Sequence, residues 1–127
     1  MQVLIVESEE ALARVWASHL RRQGAEVCIA LSEPQAVAAL QERHIDIIVL
    51  DLVLGEGSAF AVADFASYRQ PQARVVFVTN TSFFSDGSIF KHVPNACAFL
   101  PSGMPPADLA AVVDHYGDLS DIEHESS

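Results

Sequence analysis

The sequence predicts an α/β domain: one parallel sheet with helices packed on both of its faces. Three observations predict it. Short runs such as Val3-Leu4-Ile5-Val6 and Ile47-Ile48-Val49-Leu50 are apolar throughout, the pattern of strands covered on both sides. Between such runs lie segments whose apolar residues recur every three or four positions, the period of a helix buried on one face. The length, 127 residues, suits one domain with a proper core.

The first strand is "VLIV" (3–6). Leu12, Val15, Trp16, His19 and Leu20 then form the inner face of a helix that stops at Gly24. His19 falls on that face and reads as a packed histidine. "EVCIAL" (26–31) is the second strand. In "SEPQ", Ser32 and Gln35 make a capping box with Pro34 in the first turn, and Ala36, Val37 and Leu40 face inward. "DIIVL" (46–50) is the third strand, followed by a helix that buries Phe60, Ala63 and Phe65.

"RVVFV" (74–78) is the fourth strand. The segment "TSFFSDGSIFKHV" (81–93) is the least regular, because Gly87 sits mid-pattern and costs about 1 kcal/mol relative to alanine in a helix. "ACAFL" (96–100) is the fifth strand, and behind Pro105-Pro106 the residues Leu109, Val112, Val113 and Tyr116 mark the last helix. Strands alternating with helices in this way, joined by right-handed crossovers, predict a flavodoxin-like (βα)5 doubly wound parallel sheet with strand order 2-1-3-4-5. That order sends Cys28 and Cys97 to opposite edges, too far apart for a disulfide. Residues 1–117 form the domain. Residues 118–127, "DLSDIEHESS", are acidic without an apolar period and read as a disordered, solvated tail.

Composition excludes several functions. Net charge is −10 and Lys91 is the single lysine, which argues against direct nucleic-acid binding. No apolar run approaches the roughly 18 residues of a membrane span. The chain enters "QVLIV" without a basic leader, so no signal or transit peptide is expected. Two cysteines without a CxxC pair point to a reducing cytoplasm.

In open α/β sheets, ligands bind beyond the carboxyl ends of the strands where the strand order reverses. Here that place lies between the first and third strands. The residues just past the strands are Glu7-Ser8, Asp51, Thr79-Asn80 and Pro101-Ser102. Placing Asp51 against "IIVL" without a partner would cost several kcal/mol in dehydration, so its carboxylate calls for a function. The expected site is a shallow crevice with Asp51 beside Glu7 and Thr79 flanking. Such a group can hold Mg²⁺, attack phosphorus through a carboxylate, or work as an acid/base pair. There is no glycine-rich phosphate loop, Ser/His/Asp order or histidine metal motif.

Over residues 2–117 the chain resembles the receiver domains of bacterial two-component response regulators. The resemblance rests on "VLIVESEEALARVW", "DIIVLDLVL", "VVFVT" and "NACAFLPSG" in this order and spacing. It implies that Asp51 is the phosphoacceptor. It also implies that Glu7, Asp51 and the backbone carbonyl of Val53 bind Mg²⁺, that Thr79 is the switch hydroxyl, and that Phe99 is the switch aromatic. Two departures from the family are serious, while others at Gly55 and Ser58-Ala59 mainly affect loop shape. Ser8 stands at the second acid and Ser102 at the lysine. Loss of the lysine removes a charge-assisted hydrogen bond of roughly 1.5–3 kcal/mol, and loss of the acid weakens Mg²⁺ binding.

Phe83, Phe84, Ile89 and Phe90 carry more apolar surface than a short, glycine-interrupted helix buries with ease. Either these residues pack into the core, or they form an exposed partner face in the family's usual place. The partners implied are a histidine kinase or phosphotransfer protein and a downstream protein, with a homodimer as a further arrangement. The leading expectation is a stand-alone, atypical receiver, phosphorylated weakly at Asp51 and acting through protein contacts. The alternatives are an unphosphorylated pseudo-receiver serving as an interaction module and, more remotely, a small phosphatase or hydrolase using Glu7 and Asp51. Lys91, in the irregular segment, or another group could take the place of the missing lysine.

Overall fold

The fully apolar runs pair side by side as a parallel sheet in the order β2-β1-β3-β4-β5, the order expected from the sequence. In this computed structural model, which describes residues 1–54, 57–79 and 95–125, the strands are β1 (Gln2–Val6), β2 (Glu26–Ala30), β3 (Ile47–Asp51), β4 (Arg74–Thr79) and β5 (Ala96–Pro101). The helices are α1 (Glu10–Arg22), α2 (Glu33–Glu42), α3 (Ala59–Arg69) and α4 (Pro106–Glu125). The segment 81–93, with Phe83, Phe84, Phe90 and Lys91, lies outside the described residues, as does Asn80.

Alternation along the strands divides the core into two layers. Leu4, Val6, Ile48, Leu50, Val75 and Phe77 pack under α2 and α3. Val3, Ile5, Ile47, Val49, Val76 and Val78 pack under α1 and α4. A register shift where β5 passes Val75 and Val76 puts Cys97 and Ala98 on the same face. Cys28 and Cys97 lie on the two edge strands and both are free thiols.

Two helices present different faces from those expected. On α1 the buried stripe is Ala13, Trp16, Ala17 and Leu20, while Val15 is 43% exposed. On α3 it is Ala59, Val62, Ala63 and Ala66, while Phe60 is 43% exposed and makes a tilted ring contact with Phe77 at 6.1 Å. In α1 the stripe mixes the large Trp16 and Leu20 with two alanines, and in α3 it is three alanines with Val62, so the angular position on the helix, rather than hydropathy alone, decides what is buried. The capping box at α2 forms with one change. Ser32 Oγ accepts the Gln35 N–H at 3.4 Å, but Gln35 Oε1 accepts the N–H of Leu31, at 2.8 Å, instead of that of Ser32.

The last helix corrects another expectation. α4 continues past Gly117 to Glu125, so residues 118–125 are helical rather than irregular. Once Leu109, Ala110 and Val113 are packed, each further residue propagates a helix whose costly nucleus already exists. Among the described residues, no helix is long and apolar enough to cross a membrane.

Candidate functional site

Register brings the two carboxylates together. Val6 pairs with Leu50 across β1 and β3, so one residue further on Glu7 and Asp51 come abreast at the carboxyl end of the sheet. The two strands are held in place by the apolar layers on both faces, and the chain has no choice of where these acids emerge. Together with Ser8, Glu9, Leu12, Val53 and Ser102 they line an open crevice of about 200 Å³.

Glu7 is not a solvated carboxylate. It is 1% exposed, its backbone N–H donates to the Ala30 carbonyl at 3.1 Å, and its Oε1 accepts the Glu9 N–H at 3.0 Å. Burial, first of all, pushes its carboxyl up from the usual 4.5 to about 8. The hydrogen bond to Asp51 and the charges of Asp51 and Glu9 push the same way, against the Glu9 N–H. Oε2 is buried with no donor against it among the described residues. Two ionised carboxylates can only accept, so the Glu7–Asp51 hydrogen bond exists when a proton lies between them.

Asp51 is half-buried, and its Oδ1 accepts the Val53 N–H at 2.9 Å. This turn within the chain orients the carboxylate toward the crevice wall. The loop after it is tied to α2. Gly57 takes φ +93°, with Glu33 lying where a Cβ would point, and Glu33 Oε1 accepts the Ser58 N–H at 2.7 Å. Only glycine adopts that backbone without strain.

The other residues singled out in the sequence are placed as follows. Ser8 and Ser102 line the crevice. Ser102 is held there because its N–H donates to the Thr79 carbonyl at 2.9 Å. Thr79 ends β4 and is 7% exposed, but it is not among the residues that line the crevice. Phe99 stacks on Phe77, with centroids 5.0 Å apart and planes 14° from parallel, on the α2–α3 side of the sheet. Sequence reasoning missed Glu9 and Leu12 as crevice residues, having assigned them to a helix start and a helix core. The signal available was their distance from Glu7: two residues on, at the helix cap, and one helical turn beyond the strand end.

The donor set suits Mg²⁺ in reduced form. Glu7, with its orphaned Oε2, and Asp51 give two carboxylates, and Mg²⁺ takes one or two with water and phosphate oxygens completing its octahedron. Among the described residues no group of three His, Cys, Asp or Glu converges. A cation must also displace the proton that burial favours on Glu7.

Comparison with known proteins agrees with this geometry. The family model of the response regulator receiver domain matches residues 3–93. Over 78 residues, 61% of this chain, the sequence is 38% identical to the alginate biosynthesis transcriptional regulatory protein AlgB of Pseudomonas aeruginosa. It is 36% identical over 78 residues to AlgB of Pseudomonas putida. The match takes up only 17% of the length of either relative. Among solved structures, a CheY-like response regulator receiver domain protein from Methanospirillum hungatei superposes with a TM-score of 0.87 at 20% identity, over 96% of this chain and 97% of that one. The N-terminal domain of a response regulator/sensory box/GGDEF protein from Carboxydothermus hydrogenoformans gives 0.84 at 25% identity, over 97% and 98%. The chain belongs to the response regulator receiver domain family, the receiving modules of two-component signalling.

Proposed function

We propose that this receiver accepts a phosphoryl group on Asp51 and passes its state on through protein contacts. The observation that carries this is the abutment of Asp51 and the buried Glu7 in an open crevice at the reversal point of the sheet. The Val53 N–H holds Oδ1 and leaves Oδ2 as the nucleophile. Oδ2 forms a bond to phosphorus while the bond from phosphorus to the donor's imidazole nitrogen breaks and its electron pair leaves with the nitrogen. The donor is a histidine kinase or phosphotransfer protein.

A proton on Glu7 lowers the negative charge of the crevice as the phosphoryl oxygens arrive, which partly offsets the absence of an acid at Ser8 and of a lysine at Ser102. Glu7, Asp51 and the Val53 carbonyl would hold Mg²⁺, whose charge would neutralise those oxygens when bound. Thr79, at the end of β4, is the hydroxyl assigned to the phosphorylated state, and Phe99 the ring that responds to it. Without a lysine the phosphoryl group adds about −1.5 to −2 charge with fewer new bonds to exploit. A full 1:99 to 99:1 switch needs about 5.5 kcal/mol, so the expected response is a partial shift of state.

A second reading, a constitutive interaction module that is never phosphorylated, draws on the same two serines and on the protonated Glu7. Intact mass after incubation with acetyl phosphate and Mg²⁺ separates the two. The expected outcome is a single phosphoryl adduct that disappears in Asp51→Asn. Its absence from the wild type would leave the interaction module standing. Turnover of generic phosphate esters by the same preparation would instead favour a hydrolase.

A further inference from the structure

The loop after Asp51 is anchored at both ends, and the two anchors differ in kind. At the near end the sheet continues one residue past the carboxylate. The Leu52 N–H donates to the Val78 carbonyl at 2.9 Å, and Asp51 Oδ1 accepts the Val53 N–H at 2.9 Å. Leu52 and Leu54 pack on the α2–α3 layer, but the Val53 side chain is 62% exposed, so packing does little to fix its backbone. At the far end the anchor is a carboxylate from another element. Glu33 is the first residue of α2, and its Oε1 accepts the Ser58 N–H at 2.7 Å. Ser58 is the N-cap of α3, and its Oγ accepts the Ala61 N–H at 3.3 Å. In a capping box, a glutamate at the third helical position accepts the N–H of the N-cap residue. Here that position is Ala61, and Glu33 supplies the carboxylate from α2 instead. A local glutamate would cap α3 and leave the loop free of α2, whereas a remote one ties the two together. The anchor is stiff, because Ser32 caps α2 and Pro34 fixes the backbone of its first turn. Gly57 lets the Glu33 stem pass: it takes φ +93°, and a Cβ there would run into Glu33 Cβ.

We propose that Glu33 is a positioning residue for the phosphoacceptor. By clasping Ser58 it holds the 52–58 loop, so that the Asp51–Val53 turn keeps one geometry. The Val53 N–H orients the Asp51 carboxylate, and whatever loosens Val53 also loosens the nucleophile. A displacement of about 1 Å caused by a change remote from the chemistry costs on the order of 10²-fold in rate. Groups that orient a site from one layer out are typically worth about 10–100-fold. Leu52 and Leu54 keep part of the restraint when the clasp is lost, which puts the expected effect at the lower end. The inference rests on phosphoryl transfer to Asp51 for its rate measurement alone. The geometry of the Asp51–Val53 turn is read without a phosphodonor.

The test uses the full chain with Glu33→Ala, Glu33→Gln and Gly57→Ala. The first readout is exchange of the Val53 amide with water, followed by NMR without metal or phosphodonor. Glu33→Ala should speed it about tenfold relative to the amides of β1 and β3, because a hydrogen bond to a charged acceptor is lost. Glu33→Gln keeps an acceptor oxygen and should restore the wild-type rate. Gly57→Ala breaks the clasp from the other side and should match Glu33→Ala. The second readout is the rate at which the Asp51 mass adduct forms with acetyl phosphate and Mg²⁺. It should fall about tenfold in Glu33→Ala and recover in Glu33→Gln. Spectral dispersion reports folding, and if Gly57→Ala does not fold the two Glu33 variants decide. The proposal is overturned by unchanged Val53 exchange in Glu33→Ala, or by a rise shared equally with β1 and β3, which is lost stability alone. Failure of Glu33→Gln to restore the rate overturns the hydrogen bond in favour of charge. An adduct rate that stays put while Val53 exchange rises overturns the positioning role. A wild type that takes no phosphoryl group fails the receiver reading, and Val53 exchange then upholds or overturns the clasp by itself.

Discussion

The two ends of β1 and β3 treat polar groups in opposite ways. At the amino end the side chains of Asp46 and Gln70 meet partners at every polar atom. Asp46 Oδ2 accepts the Gln2 N–H at 2.7 Å, and Asp46 Oδ1 lies 2.9 Å from His44 Nε2. Gln70 spends its whole side chain on backbone. Nε2 donates to the carbonyls of Leu40 and Arg43 at 2.8 and 2.6 Å, and Oε1 accepts the Ile45 N–H at 2.7 Å. Nearby, the neutral Oδ1 of Asn95 has no hydrogen-bond partner among the described residues. At the carboxyl end the orphan is an acid, Glu7, and it faces an open crevice. A closed network holds the fold together, whereas an open one costs stability and makes a site. The same sheet carries both because the residue pattern of its strands is indifferent to which end is finished.

This contrast can be broken by substitution. The largest effect is expected from Gln70→Ala, which unpairs three backbone groups at once. It should cost about 2–4 kcal/mol in urea unfolding and leave the amide shifts of the crevice where they are. A loss below 0.5 kcal/mol, on the order of a neutral surface change, would mean that the amino end is no better closed than the other.

Glu7 should show the opposite behaviour. Its pKa is about 8 when folded against 4.5 ordinarily, so the folded chain holds a proton that the unfolded chain has released. The resulting stability is fully present below the unfolded value and is lost as pH rises through the folded one. Melting should therefore weaken from about pH 5 to pH 9, by on the order of 1–3 kcal/mol. Glu7→Gln, neutral at every pH, should flatten that slope and be no less stable than the wild type at pH 9. An unchanged slope would remove Glu7 as its source.

The smallest effect is expected from Ser102→Lys. An ammonium at this partly exposed position should stabilise the neutral-pH protein by up to about 1 kcal/mol. The gain should shrink in the Glu7→Gln background, as a double-mutant cycle would read. Additive effects would place the new lysine away from Glu7.

Particular residues mark how far the sequence could be read. Val3–Val6 and Ile47–Leu50 identified covered strands and the place where Glu7 and Asp51 emerge, because an unbroken apolar run has one role in a domain of this size. Val15 and Phe60 misled, since hydropathy does not record which angular sector of a helix its neighbours cover. The end of α4 misled because propagation of a helix depends on packing far back along the chain. Phe83, Phe84 and Phe90, expected to form a partner face, fall outside the described residues.

The sequence by itself determined the strand order, the receiver family and the presence of Glu7, Ser8, Asp51 and Ser102 at the strand ends. These follow from local pattern and from the chirality of crossover connections, which are written in consecutive residues. Only the tertiary structure decided the protonation of Glu7 and the shape of the crevice. Burial of that carboxyl comes from β2, α1 and β3 closing around it together, and no stretch of consecutive residues contains the dielectric they create.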